Sequence, residues 1–155
     1  MRPYGPDDAG PTLAVFLDAV TVTASSDYSP EQIAAWAAAD ERTIEEWDRS
    51  RSNTDTVVAI VDDRVVGFSD VNAEGYINMM FVDPRVTRRG VASALIAEVS
   101  RHATILGATY LSTDASITAR PFFEHHGFHV VAEQHPIYRG IKLTNYRMAK
   151  QLYSD

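Results

Sequence analysis

The segment from Met79 to Ser93 constrains this chain more than any other part of its sequence. Its apolar run ends at Asp83 and Pro84, where proline removes an amide hydrogen that a sheet ladder needs. An arginine-rich loop follows, and Gly90 then opens a helical pattern. The first amides of a helix lack intrahelical partners and carry partial positive charge, so such a junction can bind a phosphate group. The segment therefore predicts a strand, an anion-binding loop and a helix in direct succession.

The composition of this loop separates it from two common nucleotide sites. It has neither the Gly-Lys-Ser/Thr of a Walker loop nor the further glycines of a dinucleotide fingerprint. No acidic residue lies between Pro84 and Ala97, although the whole chain has a formal net charge of −7. A basic loop on an acidic protein indicates a local anion site, while a solvated loop with unrelated arginines is the competing structural interpretation.

Hydrophobic periodicity predicts a mixed α/β fold around this segment. Three early helices are expected, marked in turn by Leu13, Phe16, Leu17 and Val20, by Trp36 after a capping box at Ser29, and by Ile44 and Trp47 after Asp40. Strands are expected at 2–4, 56–61, 64–71, 76–82, 109–113, 129–133 and 143–148, with helices at 90–102 and 119–126. Together they predict a mostly antiparallel central sheet of about six to seven strands, flanked by helices, in one domain covering residues 1–155.

Composition argues against several classes of partner. The chain has no cysteine, which removes disulfides, thiolate nucleophiles and cysteine metal sites, and suits a cytoplasmic protein. No apolar run is long enough for a membrane span, and the N-terminus lacks the apolar core of a secretory signal. Net negative charge disfavours the phosphate backbone of nucleic acids. The histidines lack ligand spacing, so no metal site is expected, and His125 and His126 suit a helix C-terminus instead.

Two motifs give the chain a resemblance to a known family. Residues 82–92 read VDPRVTRRGVA, and residues 122–128 read FFEHHGF. Both are similar to motifs of the GCN5-related N-acetyltransferases, the GNATs, and they occur in that family's order and at its spacing. In the family the amides of the first motif bind the pyrophosphate of coenzyme A (CoA). The resemblance covers nearly the whole chain and implies a GNAT-like fold, with acetyl-CoA as co-substrate.

The resemblance also implies a cofactor site, residue by residue. Backbone groups of Met80, Phe81 and Val82 would pair with the pantetheine arm, with the Met80 amide polarising the thioester carbonyl. Ser116 would lie near the pantetheine. The residues expected to hold the pyrophosphate are Arg88, Arg89, Gly90, Val91, Ala92 and Ser93, and those expected to flank the CoA sulfur are Phe122 and Phe123.

Departures from the family pattern leave the general acid and base open. Phe123 stands where many members have a tyrosine that protonates the departing thiolate, and phenylalanine has no proton to give. Tyr138 is either a substitute for that tyrosine or only an aromatic residue at the rim of the site. Some members have a glutamate at the position of Tyr76. Tyr76 and Asn78, which would share a strand face with Met80 by alternation, are therefore candidates for relaying the amine proton.

The acceptor is the least defined part of the prediction. Tyr28 and Trp36 are either core aromatics or, as the resemblance implies for the early helices, part of the acceptor cleft. The implied reaction is direct transfer of an acetyl group from acetyl-CoA to a primary amine, of a small molecule or a protein, in a ternary complex. The competing interpretations are an acyl-CoA-binding regulatory module and a helix-end anion site on an unrelated α/β domain. An edge strand in the C-terminal hairpin is compatible with a homodimer.

Overall fold

The computed structural model describes residues 1–39 and 43–152. Its α-helices are α1 (Ala9–Thr21), α2 (Pro30–Ala39), α3 (Ile44–Ser52), α4 (Val91–Ile105) and α5 (Arg120–His125). Its strands are β1 (Arg2–Pro3), β2 (Asp55–Val61), β3 (Arg64–Val71), β4 (Tyr76–Ile77), β5 (Met80–Val82), β6 (Tyr110–Ser116), β7 (His129–Gln134), β8 (Ile137–Tyr138), β9 (Ile141–Lys142) and β10 (Asn145–Gln151). Among these helices, none combines the length and apolar character needed to span a membrane.

The central sheet is divided into two four-stranded halves. One half has the order β1–β2–β3–β5, and its described pairs are all antiparallel. The other has the order β4–β6–β10–β7, in which β4 and β6 are parallel and the remaining pairs antiparallel. β8 and β9 form a separate hairpin that the sequence pattern does not predict. The predicted fold class, a mixed and mostly antiparallel sheet flanked by helices, is confirmed.

The division falls inside the segment 76–82, which the sequence predicts as one strand. That prediction is wrong, because the strand is interrupted at Asn78 and Met79. The buried Asp70 carboxylate explains the break: its Oδ1 accepts hydrogen bonds from the backbone amides of Asn78 at 2.8 Å and Met79 at 3.0 Å. Both amides are therefore satisfied without a neighbouring strand.

The break also changes which residues share a face. Tyr76 and Asn78 line an open cleft, together with Met79 and Phe81. The Met80 side chain packs instead against the hydrophobic core that contains the apolar residues of α4. The prediction that Tyr76, Asn78 and Met80 share one face is therefore wrong, since side-chain alternation does not continue across an interrupted strand.

The backbone of β5 is left with one open edge. On its paired side, the Met79 carbonyl and the Asp83 amide form hydrogen bonds to β3 at 3.1 and 2.8 Å. Hydrogen bonding alternates along an antiparallel strand, so the amides and carbonyls of Met80 and Val82 point to the opposite side. β5 is the last strand of its half-sheet, and this outward edge has no strand partner in the described parts of the chain.

Hydrophobic layers on both faces hold the sheet between the helices. On one face, Val91, Leu95 and Val99 of α4 are buried, as their four-residue spacing predicts. On the other face, Phe16 of α1 and Trp47 of α3 pack with ring centroids 5.5 Å apart. Helices therefore cover both faces of the sheet. The cleft opens at the centre of the sheet, where the two half-sheets separate.

The early helices differ from their predictions at single positions. The capping box at Ser29 is confirmed, because its side chain accepts a backbone hydrogen bond from the residue three positions on, at 3.2 Å. α3 begins after a capping box at Thr43, while the predicted start at Asp40 lies outside the described residues. Leu17 and Ile44, predicted to face the core, are 38% and 42% exposed. Phe16, Val20 and Trp47 are buried as predicted, so helical spacing identified the buried side of each helix but included one exposed residue at its border.

Replacing Asp70 tests the origin of the strand break. Asp70→Ala leaves two backbone amides without their acceptor, and we expect the free energy of unfolding to fall by roughly 2–5 kcal/mol. Asp70→Asn keeps an acceptor oxygen and removes a charge, so it should lose less. Urea denaturation measures both variants, with the exposed Asp7→Ala as the matched control. Equal stabilities of Asp70→Ala and Asp7→Ala would contradict the explanation.

Candidate active site

A cleft of about 740 Å³ opens where the two half-sheets diverge. Helices α1 and α2 border one side, and β6, β7, β10 and the β8–β9 hairpin border the other. The residues that line it are Phe16, Tyr28, Trp36, Tyr76, Asn78, Met79, Phe81, Asp114, Ser116, Gln134, His135, Pro136, Tyr138, Leu143, Thr144 and Asn145. The cleft thus joins the interrupted strand to residues from both ends of the chain.

One side of the cleft is an aromatic wall formed by Phe16, Tyr28, Trp36 and Phe81. Phe16 meets Phe81 edge-on, with centroids 5.0 Å apart, and Trp36 lies 6.4 Å from Phe81. Tyr28 packs edge-on against Trp36 at 5.5 Å. These separations are typical of favourable aromatic pairs. The wall is therefore a continuous apolar surface rather than a set of isolated rings.

The Tyr28 hydroxyl is committed to the protein. It donates a hydrogen bond to the Thr144 carbonyl at 2.6 Å and accepts one from the Ile117 amide at 2.9 Å. Burial raises the pKa of Tyr28, which keeps the phenol neutral. Its ring lines the cleft, but its hydroxyl ties the segment before α2 to the segments that follow β6 and precede β10.

The opposite side is a polar floor formed by Tyr76, Asp114, Gln134 and Asn145. The Tyr76 hydroxyl donates to Asp114 Oδ2 at 2.9 Å, and Gln134 Nε2 donates to Asp114 Oδ1 at 2.9 Å. Arg147 Nε also donates to Asp114 Oδ1, at 2.7 Å. Gln134 gives its second amide hydrogen to Asn145 Oδ1 at 3.0 Å. Strands β4, β6, β7 and β10 each contribute to this network.

The Tyr76 phenol is held neutral at the edge of the floor. Burial, followed by the hydrogen bond to Asp114, raises the pKa of Tyr76 to about 12. Because its proton points to the Asp114 carboxylate, the Tyr76 oxygen keeps lone pairs for an additional donor. A neutral hydrogen-bond acceptor backed by a carboxylate is therefore present beside the strand break.

The loop before α4 is exposed and has an unusual backbone. Gly90 caps α4 with a φ of 79°, a conformation that disfavours side chains with a Cβ. Arg88 also has a positive φ, of 65°, and both Arg88 and Arg89 are exposed. The first turn of α4, with Ala92 and Ser93, follows directly. Its backbone amides have no intrahelical acceptor and are oriented to receive an anion.

Arg85 does not contribute to this basic loop. Its Nε and Nη2 atoms donate to the Asp83 carboxylate at 3.0 and 2.8 Å. This contact lowers the pKa of Asp83. Within the described residues, the loop arginines that have no carboxylate partner are therefore Arg88 and Arg89.

Phe122 and Phe123 differ in burial. Phe123 is 4% exposed and packs against Phe128 with ring centroids 5.0 Å apart, so its ring belongs to the core. Phe122 is only partly buried, and its centroid lies 4.5 Å from that of His126. Phe122 is therefore the member of the pair that offers surface to a ligand.

Ser93 and Ser116 each form a hydrogen bond within the protein. Ser93 Oγ lies 3.2 Å from His126 Nε2, which joins the first turn of α4 to the end of α5. Ser116 Oγ accepts from the Ala119 amide at 3.0 Å while the residue lines the cleft. Within residues 1–39 and 43–152, no cluster of three or more His, Cys, Asp or Glu side chains is arranged to hold a metal.

Comparison with family models matches residues 24–150 to the acetyltransferase (GNAT) domain. The chain belongs to the GNAT acetyltransferase family. It is 45% identical over 148 residues to the uncharacterized N-acetyltransferase YafP of Escherichia coli K12, with 96% of this chain and 93% of that protein covered. The family that the two sequence motifs indicate is therefore confirmed.

Solved structures show the same fold. A GCN5-related N-acetyltransferase from Rhodopseudomonas palustris has a TM-score of 0.92 at 32% identity, covering 97% of this chain and 93% of that one. The PaiA N-acetyltransferase of Thermoplasma acidophilum, in complex with coenzyme A, has a TM-score of 0.74 at 20% identity, covering 97% and 96%. At that lower identity the likeness concerns the fold alone.

The cleft of this GNAT brings together most side chains predicted for catalysis and acceptor binding, namely Tyr28, Trp36, Tyr76, Asn78 and Tyr138. Met80 differs, because its partly buried side chain packs against the core and its backbone, rather than its side chain, faces the open edge. The sequence pattern did not identify Asp114, because the strand predicted at 109–113 ends one residue before it. The alternation of Ser112, Asp114 and Ser116 with buried neighbours is the signal that identifies it.

Tyr28→Phe tests whether this tyrosine acts through its hydroxyl as a structural link. Two partly buried backbone groups, the Thr144 carbonyl and the Ile117 amide, would lose their hydrogen bond, so the free energy of unfolding should fall by about 1–3 kcal/mol. Tyr110→Phe, at a tyrosine that is 53% exposed, is the matched control and should change stability by less than about 0.5 kcal/mol. Unchanged stability of Tyr28→Phe in chemical denaturation would contradict the structural role.

Proposed function

We propose that this GNAT transfers an acetyl group from acetyl-CoA to a primary amine, with both substrates bound at once. The observation that carries the proposal is the outward backbone edge of Met80 and Val82, which leads from the cleft to the exposed loop ending at Gly90. An extended thioester arm can add to such an edge while its phosphates meet the helix start. The PaiA enzyme, solved with coenzyme A on the same fold, supports this donor.

The Met80 amide is the proposed donor to the thioester oxygen. It points to the open edge, beside the cleft in which an amine would approach. One such donor, held in place before the reaction, contributes about 3 kcal/mol to lowering the barrier. The pyrophosphate is assigned to Arg88, Arg89 and the amides of residues 90–93, with Phe122 bordering the cofactor nearby.

Tyr76 and Asp114 are the proposed route for the amine proton. The amine reacts in its neutral form, after its ammonium has lost one proton to water; the Tyr76 oxygen then accepts an N–H of this amine, while its own proton already points to Asp114. As the C–N bond forms and the C–S bond breaks, the nitrogen proton moves to Tyr76 and the Tyr76 proton moves to Asp114. The products are the amide, the CoA thiolate and a protonated Asp114, which then releases its proton to water.

The leaving group needs little assistance in this scheme. Phe123 is buried and has no proton to donate, but a thiolate with a pKa near 8.5 departs readily. Asn78 and Tyr138 line the same cleft. We assign both residues to hydrogen bonds with the reacting groups. Neither is required to protonate the departing thiolate.

Two measurements on the purified protein test this function. Acetyl-CoA should raise the melting temperature, because a ligand that binds only the folded state stabilises it by mass action. Adding primary amines should then accelerate release of free CoA thiol. A thermal shift without amine-dependent release would favour the alternative, a CoA-binding module with little turnover. Absence of any shift would contradict both functions.

A glycine pair at the two ends of α4 supplies the control for the donor site. Gly90 and Gly107 both have positive φ, 79° and 92°, and an added Cβ would meet no atom within 4 Å at either position. Gly90→Ala and Gly107→Ala should therefore lose similar stability. Only Gly90→Ala should reduce the shift caused by acetyl-CoA, because its Cβ would approach the bound pyrophosphate.

A second prediction concerns the proton route. Tyr76→Phe and Asp114→Asn should each lower kcat by roughly 100-fold, the usual contribution of positioned proton transfer, with little change in the KM for acetyl-CoA. Because both residues act in the same proton relay, the double variant should have nearly the same kcat as either single variant. Steady-state kinetics of the three variants measures this coupling.

Exposed residues supply matched controls for these substitutions. Tyr110→Phe changes a tyrosine outside the cleft. Asp62→Asn changes a hairpin-turn residue at a φ of 52°, which asparagine adopts readily. Both should retain full kcat. Multiplicative losses in the Tyr76→Phe/Asp114→Asn double variant would mean that the two residues act independently, and would overturn the relay.

A further inference from the structure

The two sides of the cleft differ in chemistry. The aromatic wall offers apolar ring surface, from Phe16 at its base to the partly exposed Trp36. The polar floor offers hydrogen-bonding groups instead. A ligand that fills the cleft must therefore present an apolar side and a polar side at the same time.

The floor is close to neutral in charge. Among the described residues that line the cleft, Asp114 is the only carboxylate. Its oxygens already accept from the Arg147 guanidinium, the Tyr76 hydroxyl and the Gln134 amide, with the closest contact at 2.7 Å. A paired carboxylate with these bonds made offers little to a second cation. The cleft therefore has no anionic group left to bind additional ammonium groups of a ligand.

The remaining groups of the floor are neutral. Gln134 gives both of its amide hydrogens to Asp114 and Asn145, so its carbonyl oxygen is what it can offer to a ligand. Asn145 accepts from Gln134 and can offer its amide hydrogens. The floor thus presents one acceptor and one donor side by side, which suits hydroxyl or amide groups.

We propose that the acceptor is a small primary amine with one cationic group, an apolar ring or branched chain for the aromatic wall, and a neutral polar group for the floor. This inference rests on the acetyltransferase function proposed above. It goes beyond it by separating this class from polyamines and aminoglycosides. Several ammonium groups of those ligands would lose hydration in the cleft without gaining a carboxylate partner, which is unfavourable.

A panel of amines tests the class directly. With acetyl-CoA saturating, kcat/KM is measured for tyramine, spermidine, kanamycin and a lysine-containing peptide. We expect tyramine to exceed each of the others by about tenfold or more, since contacts in an apolar pocket discriminate on this scale. A preference for spermidine, kanamycin or the peptide, or equal values across the panel, would overturn the proposal.

Two substitutions connect this preference to the cleft. Trp36→Leu keeps an apolar side chain but removes the ring, and should lower kcat/KM for tyramine by about tenfold while spermidine changes little. Asn145→Asp keeps the acceptor oxygen for Gln134 and adds a carboxylate to the floor. It should raise kcat/KM for spermidine relative to tyramine several-fold. Asn53→Asp, at an exposed residue at the end of α3, is the matched charge control and should leave the ratio unchanged.

The outcomes also separate this inference from the proposed function. Thiol release with any amine of the panel establishes acetyl transfer, and the order of the amines then decides the acceptor class. If Trp36→Leu lowers activity equally for all amines, or Asn145→Asp leaves the spermidine-to-tyramine ratio unchanged, the assignment of the wall and the floor is wrong. If acetyl-CoA binds but no amine accelerates thiol release, the proposed function fails and this inference fails with it.

Discussion

The rest of the structure depends on the hydrogen bonds that the buried Asp70 carboxylate accepts from the amides of Asn78 and Met79. Asp70 would be more stable as a carboxylate if it were exposed to water or if both of its oxygens accepted hydrogen bonds. Burial raises the pKa of Asp70, and its Oδ2 has no hydrogen-bond partner in the described parts of the chain. A buried charge with half its acceptors unused is costly. A continuous strand would take both amide donors away from this carboxylate and would close the gap between the half-sheets.

The break creates two binding surfaces of different kinds. On β5 it exposes a row of backbone amides and carbonyls, which recognise an extended chain whatever its side groups. In the cleft it exposes side chains, which recognise shape and polarity. The proposed function assigns acetyl-CoA to the backbone edge and the amine to the side chains of the cleft.

The same division explains how much the sequence could predict. The donor loop is local: Pro84, the arginines and Gly90 lie within seven consecutive residues, and turn and cap rules apply to them directly. The strand break was missed because Asp70 acts from another strand. The acceptor side is non-local as well, since the Tyr28 hydroxyl bonds to Ile117 and Thr144. No periodicity links such distant positions, and only the folded sheet brings them together.

Net charge says little about the chemistry of the cleft, for a physical reason. The formal charge of −7 acts at long range, where it attracts cations towards the protein but is screened by salt. Contact recognition depends on charges within a few ångströms, and there Arg147 neutralises Asp114. An acidic surface can therefore act first, by long-range attraction, and a neutral cleft afterwards, by direct contact. Under the proposed function, the long-range field would draw amines to the protein, and the local hydrogen-bond network would decide which of them react.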